Sequence, residues 1–349
     1  MTTLRMTIFL LALAFGLSAS GDAVAKTAPL FTSNDILDVT IRAPFTTIMK
    51  ERSDDEDLPA TLTYTDAEEG AVSVDLGIRT RGRYRRQSEV CKWAPLRLNF
   101  KKSSVKNTVF ADSDKMKLVT HCRNTTRYSQ ALLLEHLAYR ILNEVTDASF
   151  RVRLLRVTYV DTDKDDRART EFGFLIEHKS QLAKRIGLEL NEVQETKISH
   201  LDAPYTNLSS LFQYLIGNTD FSPIRAAPGE PCCHNYILFG TEAGHILPIP
   251  YDFDMSGIVD APHSTPNPRF GLRNVRQRMY RGRCENNEHV AASVQAFLEH
   301  KPAIYELVNS NEFYRTGTRK DTLRFLNDFF ALIENPKRVQ SRLIGKCLG

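Results

Sequence analysis

Four polar residues near the middle of the chain have the types and order needed for metal-dependent phosphate chemistry. Asp220 closes the sequence L-I-G-N-T-D (215–220), and Asn235 lies in C-H-N-Y (233–236). Asp252 and Asp254 lie in P-Y-D-F-D-M-S-G (250–257). We predict that a helix ends near Asp220 and that a β-hairpin follows. Asn235 lies at the start of its first strand, and Asp252 follows its second strand. Because a hairpin brings its outer ends together, Asn235 and Asp252 should be neighbours, with Asp220 close by.

This set of side chains matches the needs of phosphoryl transfer. One carboxylate is needed near the acceptor hydroxyl, while an amide and a second carboxylate hold a divalent metal against the phosphates. We therefore assign Asp220 as the catalytic base or acceptor-orienting residue, and Asn235 and Asp252 as metal ligands. Asp254 is either a ligand of a second metal or a structural hydrogen-bond acceptor.

The elements that position these residues follow from hydrophobic periodicity. Alternating apolar residues predict strands over 38–45, 61–65, 72–80, 96–100, 116–121, 152–160 and 171–177, with one helix over 128–145. Helical spacing then predicts helices over 181–186, 205–216, 290–300, 304–309, 319–333 and 336–344, with a hairpin over 235–239 and 245–249. Glu135 lies on an apolar face of the first long helix and is expected to point inward. The pattern predicts an α+β protein with a β-rich N-lobe (26–178) and a mostly helical C-lobe (179–349) that carries the hairpin.

The first 25 residues have the pattern of a secretory signal peptide. Arg5 precedes an apolar run over 8–17, and Ala23-Val24-Ala25 provides a small-x-small cleavage site. The run is too short to span a bilayer, so the alternative of an uncleaved anchor is the weaker one. We expect an exported protein, periplasmic or extracellular, with no integral membrane segment after cleavage.

Charge is nearly balanced over the whole chain but unevenly placed. The 46 Lys and Arg residues exceed the 42 Asp and Glu residues by four, and 42% of the residues are hydrophobic, which excludes collagen-like and disordered classes. Nine basic residues against one acid lie in 79–102, and six arginines with no acid lie in 267–283. Such clusters either bind anionic partners or form a solvated face.

Six cysteines lie in the predicted mature part, which in an oxidising compartment indicates up to three disulfides. Sequence leaves their pairing open, but we expect the adjacent Cys232 and Cys233 to bond to distant partners. A zinc site is the alternative, although no C-x-x-C pair is present.

Several motifs between residues 72 and 257 occur in a fixed order. They are I-R-T-R-G (78–82), K-W-A-P-L-R-L-N-F (92–100), M-K-L-V-T-H-C-R-N-T-T-R (116–127), G-F-L-I-E-H (173–178) and the G-N-T-D, H-N and Y-D-F-D elements. In these motifs the chain resembles the spore-coat-protein-H (CotH) kinase family of atypical secreted kinases. This resemblance implies a bilobal atypical protein-kinase-like fold, with ATP and Mg²⁺ or Mn²⁺ as cofactors. The resemblance also implies that the phosphate acceptor is the hydroxyl group of a protein Ser or Thr, or of another molecule. This acceptor includes acidic substrates but not nucleic acids.

The same resemblance aligns Asp220 with the catalytic-loop aspartate and Asn235 and Asp252 with the metal-binding pair. Arg97 falls near a basic position that faces the ATP phosphates, with Lys117 as its competitor and Glu135 as a helix partner. The family's small polar residues after I-R-G are replaced here by basic residues at 83–86, so we expect a basic loop to hold phosphates. This departure leaves an inactive pseudokinase as an alternative.

Two function classes besides a kinase fit the same residues. A nucleotide-sugar glycosyltransferase would use D-F-D to hold a metal under a diphosphate, but it normally begins with an α/β nucleotide-binding half, and this half is predicted to be antiparallel. A non-catalytic secreted protein would use the two arginine-rich segments to bind a polyanion.

Overall fold

The computed structural model describes residues 27–227 and 230–349, so the predicted signal peptide lies outside the described residues. Seven strands of the N-terminal half close into a barrel in the order β1-β2-β3-β4-β5-β7-β6. They are β1 Leu37–Ala43, β2 Leu58–Asp66, β3 Gly70–Thr80, β4 Leu96–Phe100, β5 Lys115–Val119, β6 Val152–Asp161 and β7 Arg167–Ile176. Their inward side chains, among them Ile41, Leu62, Val74 and Leu98, form a continuous apolar core.

The predicted bilobal protein-kinase-like fold, with an antiparallel β-rich N-lobe, is wrong. The strands lie close to where alternation places them, but β1 pairs in parallel with β6, with Leu37 opposite Leu155 and Ile41 opposite Tyr159. That pairing joins the two edges of the sheet and closes it. Closure removes the exposed backbone groups of both edge strands, which an open sheet would leave unpaired.

Eight α-helices are present in the described part of the chain. They are α1 Phe45–Glu51, α2 Thr126–Val145, α3 Lys179–Ile186, α4 Ala203–Ile216, α5 Val290–Glu299, α6 Lys301–Asn309, α7 Thr316–Ile333 and α8 Pro336–Arg342. The hairpin consists of β8 Tyr236–Phe239 and β9 Leu247–Pro250. Of these helices only α1 was not predicted; its first residue, Phe45, is the last residue of the strand predicted over 38–45. None of the described helices is long and apolar enough to cross a lipid bilayer.

A second apolar core lies outside the barrel. Helix α2 packs on β6 and β7 and on α6, and its apolar side chains join those of α4, the hairpin and α5–α7 in one cluster. Because α2 is covered on both sides, even Glu135 is buried, as its position on the apolar face predicted. The hairpin packs against α4 in this core, which fixes it opposite the barrel wall.

Three disulfides use all six cysteines: Cys91–Cys122, Cys284–Cys347 and the adjacent pair Cys232–Cys233. The expectation that Cys232 and Cys233 bond to distant partners is therefore wrong. Among the described residues, the side chains of Cys91, Cys122 and His263 place their potential metal-ligand atoms within 4.8 Å of one another. The two sulfurs are joined to each other, so they are not available as thiolate ligands, and this group does not support the zinc alternative.

Candidate functional site

A cleft lies between the outer wall of the barrel and the β8–β9 hairpin. Side chains alternate along a strand, so Arg97 on β4 and Lys117 on β5 point outward while their neighbours fill the barrel. The cleft consists of two adjoining cavities that share Lys117, Ile176 and Tyr251 in their walls. The acidic cavity, named for its carboxylates, has a volume of about 530 Å³, and the adjoining cavity has about 600 Å³.

Six of the seven predicted site residues line the acidic cavity. They are Asp220, Asn235, Asp252, Asp254, Lys117 and Glu135. Arg97, the seventh, lines the adjoining cavity instead. The basic loop 83–86 also contributes, since Arg83, Tyr84 and Arg85 line the acidic cavity, as does Arg81 just before the loop. The structure thus gathers residues that lie far apart in the sequence into one concave site.

The ends of the hairpin meet as the sequence predicted. The Tyr251 backbone N–H donates to the Asn235 carbonyl oxygen at 3.0 Å, which places Asn235 beside the start of the D-F-D segment. The Asn235 amide then donates to Asp220, at 2.6 Å to its backbone oxygen and 3.1 Å to Oδ2. His234 Nε2 lies 2.9 Å from Asp220 Oδ1, so both carboxylate oxygens of Asp220 are oriented.

Two glycines bring the Asp220 and Asp252 segments together. Helix α4 ends at Gly217 in the left-handed conformation (φ 67°), and the Gly257 N–H donates to the Gly217 carbonyl at 3.1 Å. A Cβ at Gly257 would lie 2.6 Å from the carbonyl oxygen of Val275, closer than real Cβ contacts allow. Only glycine at position 257 therefore lets this segment lie against the backbone of Val275 while it bonds to Gly217.

The second arginine-rich segment supports the same loop from behind. Arg278 stacks over the Phe325 ring, 3.6 Å from its centroid, and donates to the carbonyls that end α4. Arg281 donates to the carbonyls of Thr219 and Phe221, which flank Asp220. The guanidinium groups of Arg278 and Arg281 are thus engaged with protein oxygens.

Burial and neighbouring charges shift the pKa values of two groups that line the acidic cavity. Burial raises the pKa of Asp252 to about 6, with a further contribution from Asp254, against the opposing positive charges of Arg81, Arg85 and Lys117. Burial lowers the pKa of Lys117 to about 7. The Lys117 ammonium lies 4.4 Å from the centroid of the Tyr251 ring. Two groups with pKa values moved toward neutrality in one cleft are typical of functional sites.

The backbone is also unusual at the two predicted metal ligands. Asn235 and Asp252 both have left-handed conformations, with φ of 58° and 63°, which are uncommon for residues other than glycine. The Asp252 N–H donates to the Tyr139 hydroxyl oxygen at 2.8 Å, so helix α2 fixes this turn. Such conformations cluster at ligand-binding and catalytic sites.

Glu135 belongs to a buried network beneath the cavity and is not the partner of Arg97. Arg85 lies 3.4 Å from Glu135 and 3.7 Å from Asp254 Oδ2, which also lies 3.1 Å from His263 Nε2. Burial raises the pKa of Glu135 well above its usual value despite Arg85. Burial also favours a higher pKa at Asp254, but the His263 hydrogen bond and Arg85 outweigh it, so that pKa is lowered. The structure thus adds Arg85 and His263 to the residues around the site.

No protein-family model matches the chain, and no curated protein matches it. The CotH resemblance therefore stays a prediction carried by the motifs.

The donor set suits a hard divalent cation. Asn235 donates through its amide nitrogen, which leaves Oδ1 for a metal, and the Asp252 carboxylate lines the same cavity. His263 contacts Oδ2 of Asp254, so Oδ1 is the oxygen of this carboxylate that could bind a metal. Amide and carboxylate oxygens are ligands preferred by Mg²⁺ and Mn²⁺. Among the predicted residues, Asn235 and Asp252 thus fit a metal best, while Asp254 also meets the alternative role of a hydrogen-bond acceptor.

Proposed function

We propose that this protein transfers the γ-phosphoryl group of ATP to a hydroxyl acceptor, a protein Ser/Thr or another alcohol, with Mg²⁺ or Mn²⁺. The observation that carries the proposal is the grouping of Asp220, Asn235 and Asp252 in one cavity, beside Lys117 and a basic loop. The proposal rests on the chemistry of this site and not on the fold, because the same reaction can be catalysed by proteins of unrelated folds.

Asp220 is the residue that would accept the proton of the acceptor hydroxyl. Its oxygens are oriented by His234 and Asn235, and its side chain keeps 35% exposure, so an acceptor group from solution can reach it. A base must lie within hydrogen-bond reach of the proton that it takes, and positioned bases accelerate such steps about 10²-fold or more. The exposure of Asp220 would allow an acceptor hydroxyl to come within that reach.

The phosphates would lie against the basic wall of the acidic cavity. Lys117 projects from the barrel, and Arg81 and Arg83 project from the loop that follows β3. Asn235 and Asp252 would hold a metal ion there, and this ion would neutralise part of the phosphate charge. The adjoining cavity offers apolar groups for the nucleoside, including Leu190, Ile237 and the shared Tyr251.

The first experiment is a transfer assay on purified protein with labelled ATP and Mg²⁺ or Mn²⁺. The wild type is compared with Asp252→Ala, which removes a metal ligand, and with Asp165→Asn on the exposed β6–β7 turn as the matched control. We expect Asp252→Ala to lose at least about 10²-fold of the activity and Asp165→Asn to keep it. Equal labelling by wild type and Asp252→Ala refutes the proposal.

A second arm separates the remaining alternatives. Equilibrium binding of ATP and of nucleotide sugars is measured with and without metal. A nucleotide sugar bound in the absence of ATP binding indicates the glycosyltransferase. ATP bound without transfer to any acceptor, in the wild type, indicates a pseudokinase.

A further inference from the structure

The Cys232–Cys233 disulfide lies where the two cavities meet. Both cysteines line the adjoining cavity, and Cys233 also lines the acidic cavity. The backbone on both sides of the pair is anchored: the Cys232 N–H donates to the Val193 carbonyl at 2.9 Å, and the Cys233 N–H donates to the Tyr236 carbonyl at 3.3 Å. It is therefore a fixed part of the wall of the cleft.

The surroundings of this disulfide are suited to a flat, partly apolar ligand. Phe150, Ile176, Ile237 and Tyr251 line the adjoining cavity together with it. Sulfur is polarisable and packs favourably against aromatic rings. A ligand whose phosphates lie beside Lys117 can extend its other end into this cavity, because both cavities share that residue.

We propose that the Cys232–Cys233 disulfide is a contact surface for the nucleoside of ATP, and that its reduction weakens nucleotide binding. This inference rests on the proposed function. A dithiol reductant supplies two electrons and two protons: the S–S bond breaks, two thiols form, and the reductant becomes a disulfide. The fixed surface is then lost, because the two side chains are no longer held together.

The first test compares ATP with inorganic tripolyphosphate, which has the phosphates but no nucleoside. Binding of each with Mg²⁺ is measured by calorimetry for wild type and for the double variant Cys232→Ala/Cys233→Ala. We expect affinity for ATP to fall about tenfold and affinity for tripolyphosphate to stay the same. Unchanged ATP affinity overturns the inference, and so does an equal loss for both ligands, which would indicate a general disturbance of the cleft.

The second test uses the wild type and does not depend on the folding of a variant. Dithiothreitol reduces the protein with and without saturating ATP and Mg²⁺, and the thiols formed are alkylated and counted by mass spectrometry. We expect ATP to slow reduction of Cys232–Cys233 several-fold and to leave Cys284–Cys347, which lines neither cavity, unchanged. Equal rates with and without ATP overturn the inference while the transfer activity stands. A wild type that binds no ATP overturns the proposed function as well.

Discussion

Acidification should weaken metal binding at a pH where an ordinary aspartate site is unaffected. The pKa of Asp252 is about 6, because burial and Asp254 disfavour its charged form. A metal and a proton compete for the same carboxylate, so the apparent dissociation constant rises as the pH falls through this pKa. Between about pH 7 and about pH 5 the protonated fraction grows enough to weaken Mn²⁺ binding about tenfold.

Lys117 acts in the same direction over the same range. Its pKa is about 7, so acidification also adds a positive charge near Asp252 and disfavours a cation. The change of about tenfold is the part expected from Asp252 alone. An aspartate with an unshifted pKa of about 3.9 would hold its metal almost unchanged over this interval.

Calorimetry with Mn²⁺ at a series of pH values measures this effect. Asp252→Asn should bind Mn²⁺ weakly at every pH and lose most of the pH dependence, because its amide does not titrate. The matched control Asp165→Asn should follow the wild type. Wild-type affinity that is the same at both ends of the range would refute the assignment of Asp252 as a ligand with a raised pKa.

Two further predictions concern stability. Gly257→Ala should lower the free energy of unfolding by about 2 kcal/mol, because the added Cβ meets the Val275 carbonyl oxygen. Gly317→Ala is the control: its Cβ meets open space, so it should change the free energy of unfolding by less than about 0.5 kcal/mol. Chemical denaturation measures both variants, and equal effects would contradict the close contact between Gly257 and Val275. Burial lowers the pKa of His136 to about 3, so the unfolded chain binds a proton below about pH 6.5 that the folded protein does not. The free energy of unfolding should therefore decrease as the pH is lowered, and His136 should account for about 2 kcal/mol of this decrease at pH 5. His136→Gln should remove that part of the decrease. An unchanged pH dependence of the free energy of unfolding in the variant would contradict this prediction.

The positions of the strands could be predicted from sequence, but their closure could not. Alternation reports which side chains of β1 face a core, such as Val39 and Ile41, and this pattern is the same in an open sheet and in a barrel. The parallel partner of β1 is β6, which lies more than a hundred residues later. No local pattern encodes that pairing, so the predicted fold was wrong although most of its elements were correct.

The candidate site shows the same division between local and distant information. The convergence of Asn235 and Asp252 follows from a hairpin, which is local, and was predicted. The burial of Glu135 followed from helical spacing, but its partner Arg85 lies 50 residues earlier in a loop without periodicity. Sequence therefore could not decide which basic residue meets this carboxylate.

The arginine-rich segment 267–283 shows why composition alone misleads. Arginine is the basic side chain that stacks on aromatic rings while donating several hydrogen bonds, so it can be buried where lysine would not be. Arg278 does this over Phe325, and neither its position in a charged run nor the net charge of the chain distinguishes it from a ligand-binding arginine.

The parallel pairing of β1 with β6 has a consequence for the order in which the chain acquires structure. Leu37 cannot pair with Leu155 until the ribosome has synthesised β2–β5, helix α2 and β6. Until then the edge strands of the incomplete sheet remain unpaired. Contacts of such long sequence separation slow folding, and unpaired edges invite association with other chains. Closure of the barrel should be a late step, and the interval before it is when this protein would benefit most from a holding chaperone.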